Sequence, residues 1–243
     1  ELSAVRTAAD TNWTNFSSLQ QNGLLPEYKQ RLLQLWSVKD YNYFSYPSHR
    51  QFFETFQHFG ITSDLSYEQG LIELKKRAKA EHVAYLETMF KLIPCDKPVD
   101  DLFNMNKQLE IFQSTNNSIS TEILLDSLFN ILEKRDVAAC AVKFNSELEK
   151  LHTSLVMDDA DFMIRYQNFV LRFLNPVQLF TNLVIAFESA NRSPLVVAVN
   201  IVAPEHDDVS MNDYWLHMQM FNYCHKRFPS VKYSMHAGEL ALG

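Results

Sequence analysis

Residues 162–204 read FMIRYQNFVLRFLNPVQLFTNLVIAFESANRSPLVVAVNIVAP, and this stretch decides the fold. FMIRYQNFVLR is rich in aromatic and branched side chains and reads as a strand. Asn175 followed by Pro176 is a helix-start signal, a capping side chain ahead of a ring pre-set for the first turn. NPVQLFTNLVIAFESAN is accordingly predicted to be a helix, and PLVVAVNIVAP a continuous strand. Strand, helix and strand at these lengths imply a βαβ unit and a parallel sheet.

The same rhythm extends outward. Downstream, SMNDYWLHMQMFNYCHKRF (210–228) reads as one helix, and SVKYSMHAGEL (230–240) as a strand running into a loop. Upstream, EHVAYLETMF (81–90) reads as a short buried strand, fed by a surface helix over Ser66–Ala80 with Ser near its start and a basic last turn. PEYKQRLLQLWSV (26–38) and YPSHRQFFETFQHFG (46–60) carry apolar side chains at helical spacing. Between the first two strands lies a helical insertion over about 91–160, where STEILLDSLFNILEKRD is amphipathic and VAACAVKFNSELEKLHTSL suits either a helix or a strand. The expectation is an α/β chain forming a single domain over 1–243, with a helical N-terminal part over about 1–80. A (β/α)8 barrel takes about 250 residues in its usual form. Four strands are read here, so a barrel would have its remaining strands outside these residues. A doubly wound sheet is the alternative.

Composition narrows function. The 243 residues are 47% hydrophobic and 21% charged, enough for a large core. A net charge of −7 argues against nucleic acid as a partner, because phosphate binding needs concentrated Lys and Arg. No apolar run reaches the roughly 20 residues that span a bilayer, so no membrane partner is expected. The 5 glycines fall well short of the roughly 17 that average usage would give. No GxGxxG or GxxxxGK[ST] occurs, which disfavours nucleotide-phosphate chemistry. Three widely spaced cysteines (Cys95, Cys140 and Cys224) suggest neither a zinc cage nor a disulfide scaffold.

The most chemically loaded tetrapeptide is His236-Ala237-Gly238-Glu239. Functional groups of parallel α/β folds sit where strands end, and this motif sits there. A neutral imidazole at that point is a metal ligand in waiting. Ala237 and Gly238 keep the turn narrow, and Glu239 can reach the same mouth as an acid or base. An isolated His-x-x-Glu is more often a surface histidine beside a solvated carboxylate.

The surroundings add weight. HAGEL after a strand, the whole 164–207 segment before it, and the intervening helix resemble the adenosine deaminase family of metal-dependent (β/α)8 hydrolases. The nearest likeness is to the secreted growth-factor-like subgroup and its bacterial relatives. The resemblance covers about Asn42–Gly243 and is specific in the second half. It implies one divalent metal ion, usually Zn2+, with His236 as one ligand. A His-x-His pair would lie upstream of Glu1, and a further His and an Asp pair downstream of Gly243. It implies hydrolytic deamination of a purine nucleoside, with Glu239 protonating N1 and so needing a raised pKa. Gly238, Ala203 and Glu205 would contact substrate. Ala203 stands where the family usually has Gly, which leaves purine seating open. Glu205 reads equally as a loop carboxylate. Glu87, expected to be buried in its strand, would face the ribose or pair with Arg165 or Arg172. Asn200 would face a barrel interior or be a satisfied core amide. His49, His58, His82, His152, His206, His217 and His225 lack ligand spacing and are expected to be structural, His217 and His225 on a helix face.

The subgroup suggests export, with a cytoplasmic location as the alternative, and allows a homodimer. Four N-x-[ST] sequons (Asn12, Asn15, Asn116 and Asn191) bear only on a secretory protein. Rival readings are a related purine deaminase with another substrate, and a binding or signalling protein that has lost its metal. The flanking ligands separate these.

Overall fold

The computed structural model describes residues 15–39, 47–64, 66–91 and 99–239. Residues 1–65 and 66–243 form two compact units, taken separately below. In the first unit, α1 (Phe16–Gln21) is capped by the Asn15 side chain, which accepts from the Ser17 amide. It is followed by α2 (Leu25–Leu35) and α3 (Ser48–Asp64). The two helices expected in this region therefore form.

The second unit opens with α4 (Tyr67–Ala80), β1 (Tyr85–Lys91) and a 3-10 turn at Asp100–Leu102. The inserted region then forms α5 (Phe103–Ser114), α6 (Ser118–Lys134) and α7 (Ala138–Ser154). The ambiguous 137–155 stretch is thus a helix, because Ala141, Phe144, Leu148 and His152 bury one face at helical spacing. Next come β2 (Met163–Leu171), α8 (Pro176–Arg192) and β3 (Val196–Val202). Asn175 caps α8 as expected, accepting from the Gln178 amide at 3.0 Å, with Pro176 in the first turn. The single helix expected over 210–228 is two, α9 (Asp208–Asn212) and α10 (Tyr214–Arg227), divided at Asp213. There Gln113 of α5 donates to both the Asn212 carbonyl and the Asp213 carboxylate. The last strand, β4 (Lys232–Tyr233), is short. Its ladder nevertheless runs on, since the Ser234 and His236 amides donate to the Val199 and Ile201 carbonyls.

The four strands are parallel and hydrogen-bonded in chain order, β1-β2-β3-β4. A doubly wound sheet reverses its strand order at a switch point; this order has none among the described strands. Right-handed crossovers put the connecting helices of such an order on one face. The core agrees. Ile164, Tyr166 and Val170 of β2 and Val199 and Ile201 of β3 are buried among helix residues such as Leu183, Phe187 and Phe221 of α8 and α10 and Phe144 of α7.

Polar ties lock those helices down. Buried Asn168 donates to Ser189 of α8, whose hydroxyl donates to Asn145 of α7. Asp159, in the turn before β2, accepts from Lys75 and Lys79 of α4, and these two ammonium groups hold its carboxyl well below the usual range. No helix among the described residues is long and apolar enough to cross a membrane.

His217 lies on a helix face, as expected, and that face of α10 is turned into the core, leaving it 3% exposed. Burial, reinforced by the Arg172 charge, lowers its pKa from 6.5 to about 4. The neutral form is therefore favoured by folding. Stability is complete above pH 6.5 and is lost as pH falls from 6.5 to 4, by about 3 kcal/mol at full effect. Urea titrations across this window should show that decline, and His217→Gln should flatten it. An unchanged slope in the variant would refute the assignment.

Candidate active site

The face of the sheet away from the helices is chemically distinct. It presents Tyr85, Glu87 and Met89 from β1, Arg165, Gln167 and Phe169 from β2, Ala198 and Asn200 from β3, and Lys232, Ser234 and His236 at β4. Tyr85, Met89 and Met163 on this face are 49%, 41% and 44% exposed. Parallel sheets bury both faces almost without exception. Within the second unit, the described residues cover only one.

Hydrogen bonds cross this open face from edge to edge. The Tyr85 hydroxyl donates to Glu87 Oε1 at 2.8 Å, and Gln167 Nε2 donates to Glu87 Oε2 at 2.7 Å. Gln167 Oε1 accepts from Asn200 Nδ2 at 3.1 Å and from the Ser234 hydroxyl at 2.9 Å. Asn200 Nδ2 also reaches Ser234 Oγ at 2.9 Å, and Asn200 Oδ1 lies 3.0 Å from His236 Nδ1. Asn200, which is 5% exposed, thus faces the side of the sheet away from the helices rather than the helix core.

Glu87 departs from expectation in two respects. It is exposed rather than buried, because β1 borders the described sheet and its alternate residues face the open side. It pairs with neither arginine. Arg165, its register partner, turns to Asp158 at 2.8 Å, while Arg172 lies beyond the end of the β1 ladder.

At the carboxyl ends of the strands two loops are clasped together. Glu205, after β3, accepts from the Gly238 amide at 3.0 Å and the Glu239 amide at 2.7 Å. Glu239 reciprocates, its Oε2 accepting from the Glu205 amide at 3.1 Å. Each carboxylate therefore holds the other's backbone, in charge-assisted bonds worth about 1.5–3 kcal/mol apiece. Gly238 takes φ +75° to make the turn, and Ala203 takes φ +93°. That conformation suits glycine, so Ala203 carries backbone strain at the mouth.

Arg172 joins the strand ends from beneath. Only 8% exposed, its guanidinium donates to the His236 carbonyl at 2.8 Å and to the Ile201 and Val202 carbonyls at 3.4 Å. The structure thus gathers His236, Gly238, Glu239, Glu205 and Ala203 at one end of the sheet and reaches Glu87 through Gln167 and Asn200. Gln167, Ser234, Tyr85 and the carbonyl-binding role of Arg172 were not anticipated. Polar residues recurring with strand parity inside apolar runs, as Arg165 and Gln167 do, were the available signal.

Zinc can be tested against the donors present. His236 offers an imidazole whose Nδ1 is engaged by an amide, the arrangement that leaves Nε2 to a metal. Among the described residues no three His, Cys, Asp or Glu side chains converge as a metal cage. His236 alone fits a zinc ligand's chemistry, and a set that included it would need its other ligands from outside the described residues. An open depression of about 530 Å³ between α6 and α10 shares no lining residue with these loops. Its charges, Glu122 with Lys226 and Asp126 with Arg227, are already paired.

Cys140, at the start of α7, is disulfide-bonded, whereas Cys224 is a free buried thiol. No family model, curated protein or solved structure matches this chain.

Strain at the mouth predicts opposite effects at its two positive-φ residues. Ala203→Gly should stabilise by roughly 0.5–1 kcal/mol, since relieved strain exceeds the extra freedom of the unfolded chain. Gly238→Ala should destabilise by about 1 kcal/mol, on conformational grounds alone, because an added Cβ meets nothing within 4 Å. Denaturant midpoints measure both. Destabilisation by Ala203→Gly would contradict the strained geometry.

Proposed function

We propose that this chain is the greater part of a metal-dependent hydrolase that deaminates a purine nucleoside, adenosine first among candidates. The observation that carries the reading is the meeting of HAGE with the loop after β3, at the carboxyl ends of parallel strands. Sequential strand order, helices on one face and a polar opposite face support a (β/α)8 barrel whose remaining strands close over that face.

In this reading His236 is one zinc ligand, oriented by Asn200 at its ring and by Arg172 at its carbonyl. The other ligands are proposed to lie upstream of Glu1 and downstream of Gly243. Zinc, when bound, supplies Lewis acidity that makes water a nucleophile at neutral pH. Glu239 delivers a proton to purine N1, which removes aromaticity and leaves C6 electrophilic. Its Oε2 is held by the Glu205 amide, so the carboxyl enters the reaction already aimed. Glu205 acts here as the residue that positions Glu239, and Gly238 and Ala203 shape the turn against which the base lies. Glu87 presents a carboxylate on the same open face, where a ribose hydroxyl would donate to it.

Loss of adenosine absorbance, followed with the full-length polypeptide, tests the reading. Turnover should cease with a chelator and return on adding zinc. Glu239→Gln should lower kcat by at least about a hundredfold with metal content unchanged. Undiminished turnover in that variant, or none from the metal-loaded protein on any purine nucleoside, would overturn the proposal.

A further inference from the structure

The hydrogen bonds across the open face have a direction. Glu87 is a carboxylate and can only accept, so it takes the Gln167 amide NH2 and leaves the Gln167 carbonyl oxygen facing β3. That oxygen takes an N–H from Asn200 and the hydroxyl of Ser234. Asn200 is thereby turned with its NH2 towards β2 and its carbonyl oxygen towards His236. An amide oxygen can only accept, so His236 Nδ1 must carry the proton.

We infer that Glu87, Gln167 and Asn200 form a one-way amide relay that holds His236 in its Nδ1–H tautomer, baring Nε2. The origin of the direction is Glu87, on the same face but at the opposite edge of the described sheet from the imidazole it governs. Ser234 alone cannot supply it, because a hydroxyl donates or accepts with equal ease. Without Glu87 and Gln167 the Asn200 amide would have two orientations of similar energy, one presenting NH2 to the ring. The second orientation calls for the opposite tautomer, with its lone pair on Nδ1 and Nε2 blocked by a proton. Asn200, Gln167 and Glu87 are therefore positioning residues, acting on His236 through its proton. Glu87 gains a role separate from any contact with ribose.

This inference deepens the reading of His236 as a ligand and rests on it for its use, but the tautomer itself is measurable without metal or substrate. The experiment is imidazole 15N NMR of the metal-free, full-length protein, with His236 assigned by comparison with His236→Gln. The relay predicts Nδ1–H in roughly tenfold excess in the unaltered protein, the population that one net amide hydrogen bond sustains. Asn200→Asp keeps an acceptor beside Nδ1 and should retain that tautomer; Asn200→Leu should lose it. Gln167→Leu and Glu87→Leu leave the imidazole and its neighbour in place, and both should yield a mixture. Dispersed amide spectra check folding in each variant. An Nε2–H tautomer in the unaltered protein, retention in Asn200→Leu, or no change in Gln167→Leu and Glu87→Leu together would overturn the relay. Failure to turn over adenosine with the tautomer locked would instead count against the proposed reaction and leave the relay standing.

Discussion

Four parallel strands paired in chain order satisfy one another's backbones, yet their second face still has to be covered. Helices α7, α8 and α10 cover the first with Leu183, Phe187, Phe221 and Phe144. The second carries Glu87, Gln167, Asn200, Ser234 and His236, side chains that an ordinary hydrophobic layer could not bury without loss. Those residues instead satisfy each other across the strands. A face that is polar, internally bonded and laid on a parallel sheet is compatible with the lumen of the barrel proposed above. That constraint shapes everything at the strand ends, because it fixes which side chains share the mouth.

Order at the mouth comes from backbone contacts more than from side-chain pairs. Glu205 and Glu239 each grip the other loop's amides, and Arg172 gathers the carbonyls of Ile201, Val202 and His236. Two carboxylates this close would repel if they faced each other directly. Turned onto N–H donors, they become mutual anchors. The positive φ of Ala203 is stored where those loops meet, and strain of this kind persists only when its surroundings over-determine it. A buried cation, a clasp and a strained residue within a few positions of His236 mark a place built for geometry rather than stability.

Much of this was legible in the sequence, and the exceptions have physical causes. Residues 162–204 announced strand, helix and strand because Asn175 and Pro176 punctuate the chain where its periodicity changes. His236 and Glu239 stood out because HAGE follows a strand. Glu87 was misjudged because an apolar run suggests burial, whereas β1 borders the described sheet and shows alternate residues to the open side. His217 was read as a helix-face residue, which it is; that its face of α10 is the buried one depends on packing that spacing alone does not show. The relay was invisible because it depends on register, and register joins Gln167, Asn200 and Ser234 across strands that sequence spacing cannot align. Arg172 looked like an ion-pair partner, since carbonyls at strand ends leave no trace in a sequence.

The central claim is that His236 belongs to a metal centre completed by residues outside 1–243. Elemental analysis of the full-length polypeptide, purified without added metal, tests it most directly. The account predicts one divalent ion per chain, with zinc foremost, and its loss in His236→Ala while Glu239→Gln retains it. A full-length protein that binds no metal, or one that keeps its ion without His236, would contradict the account.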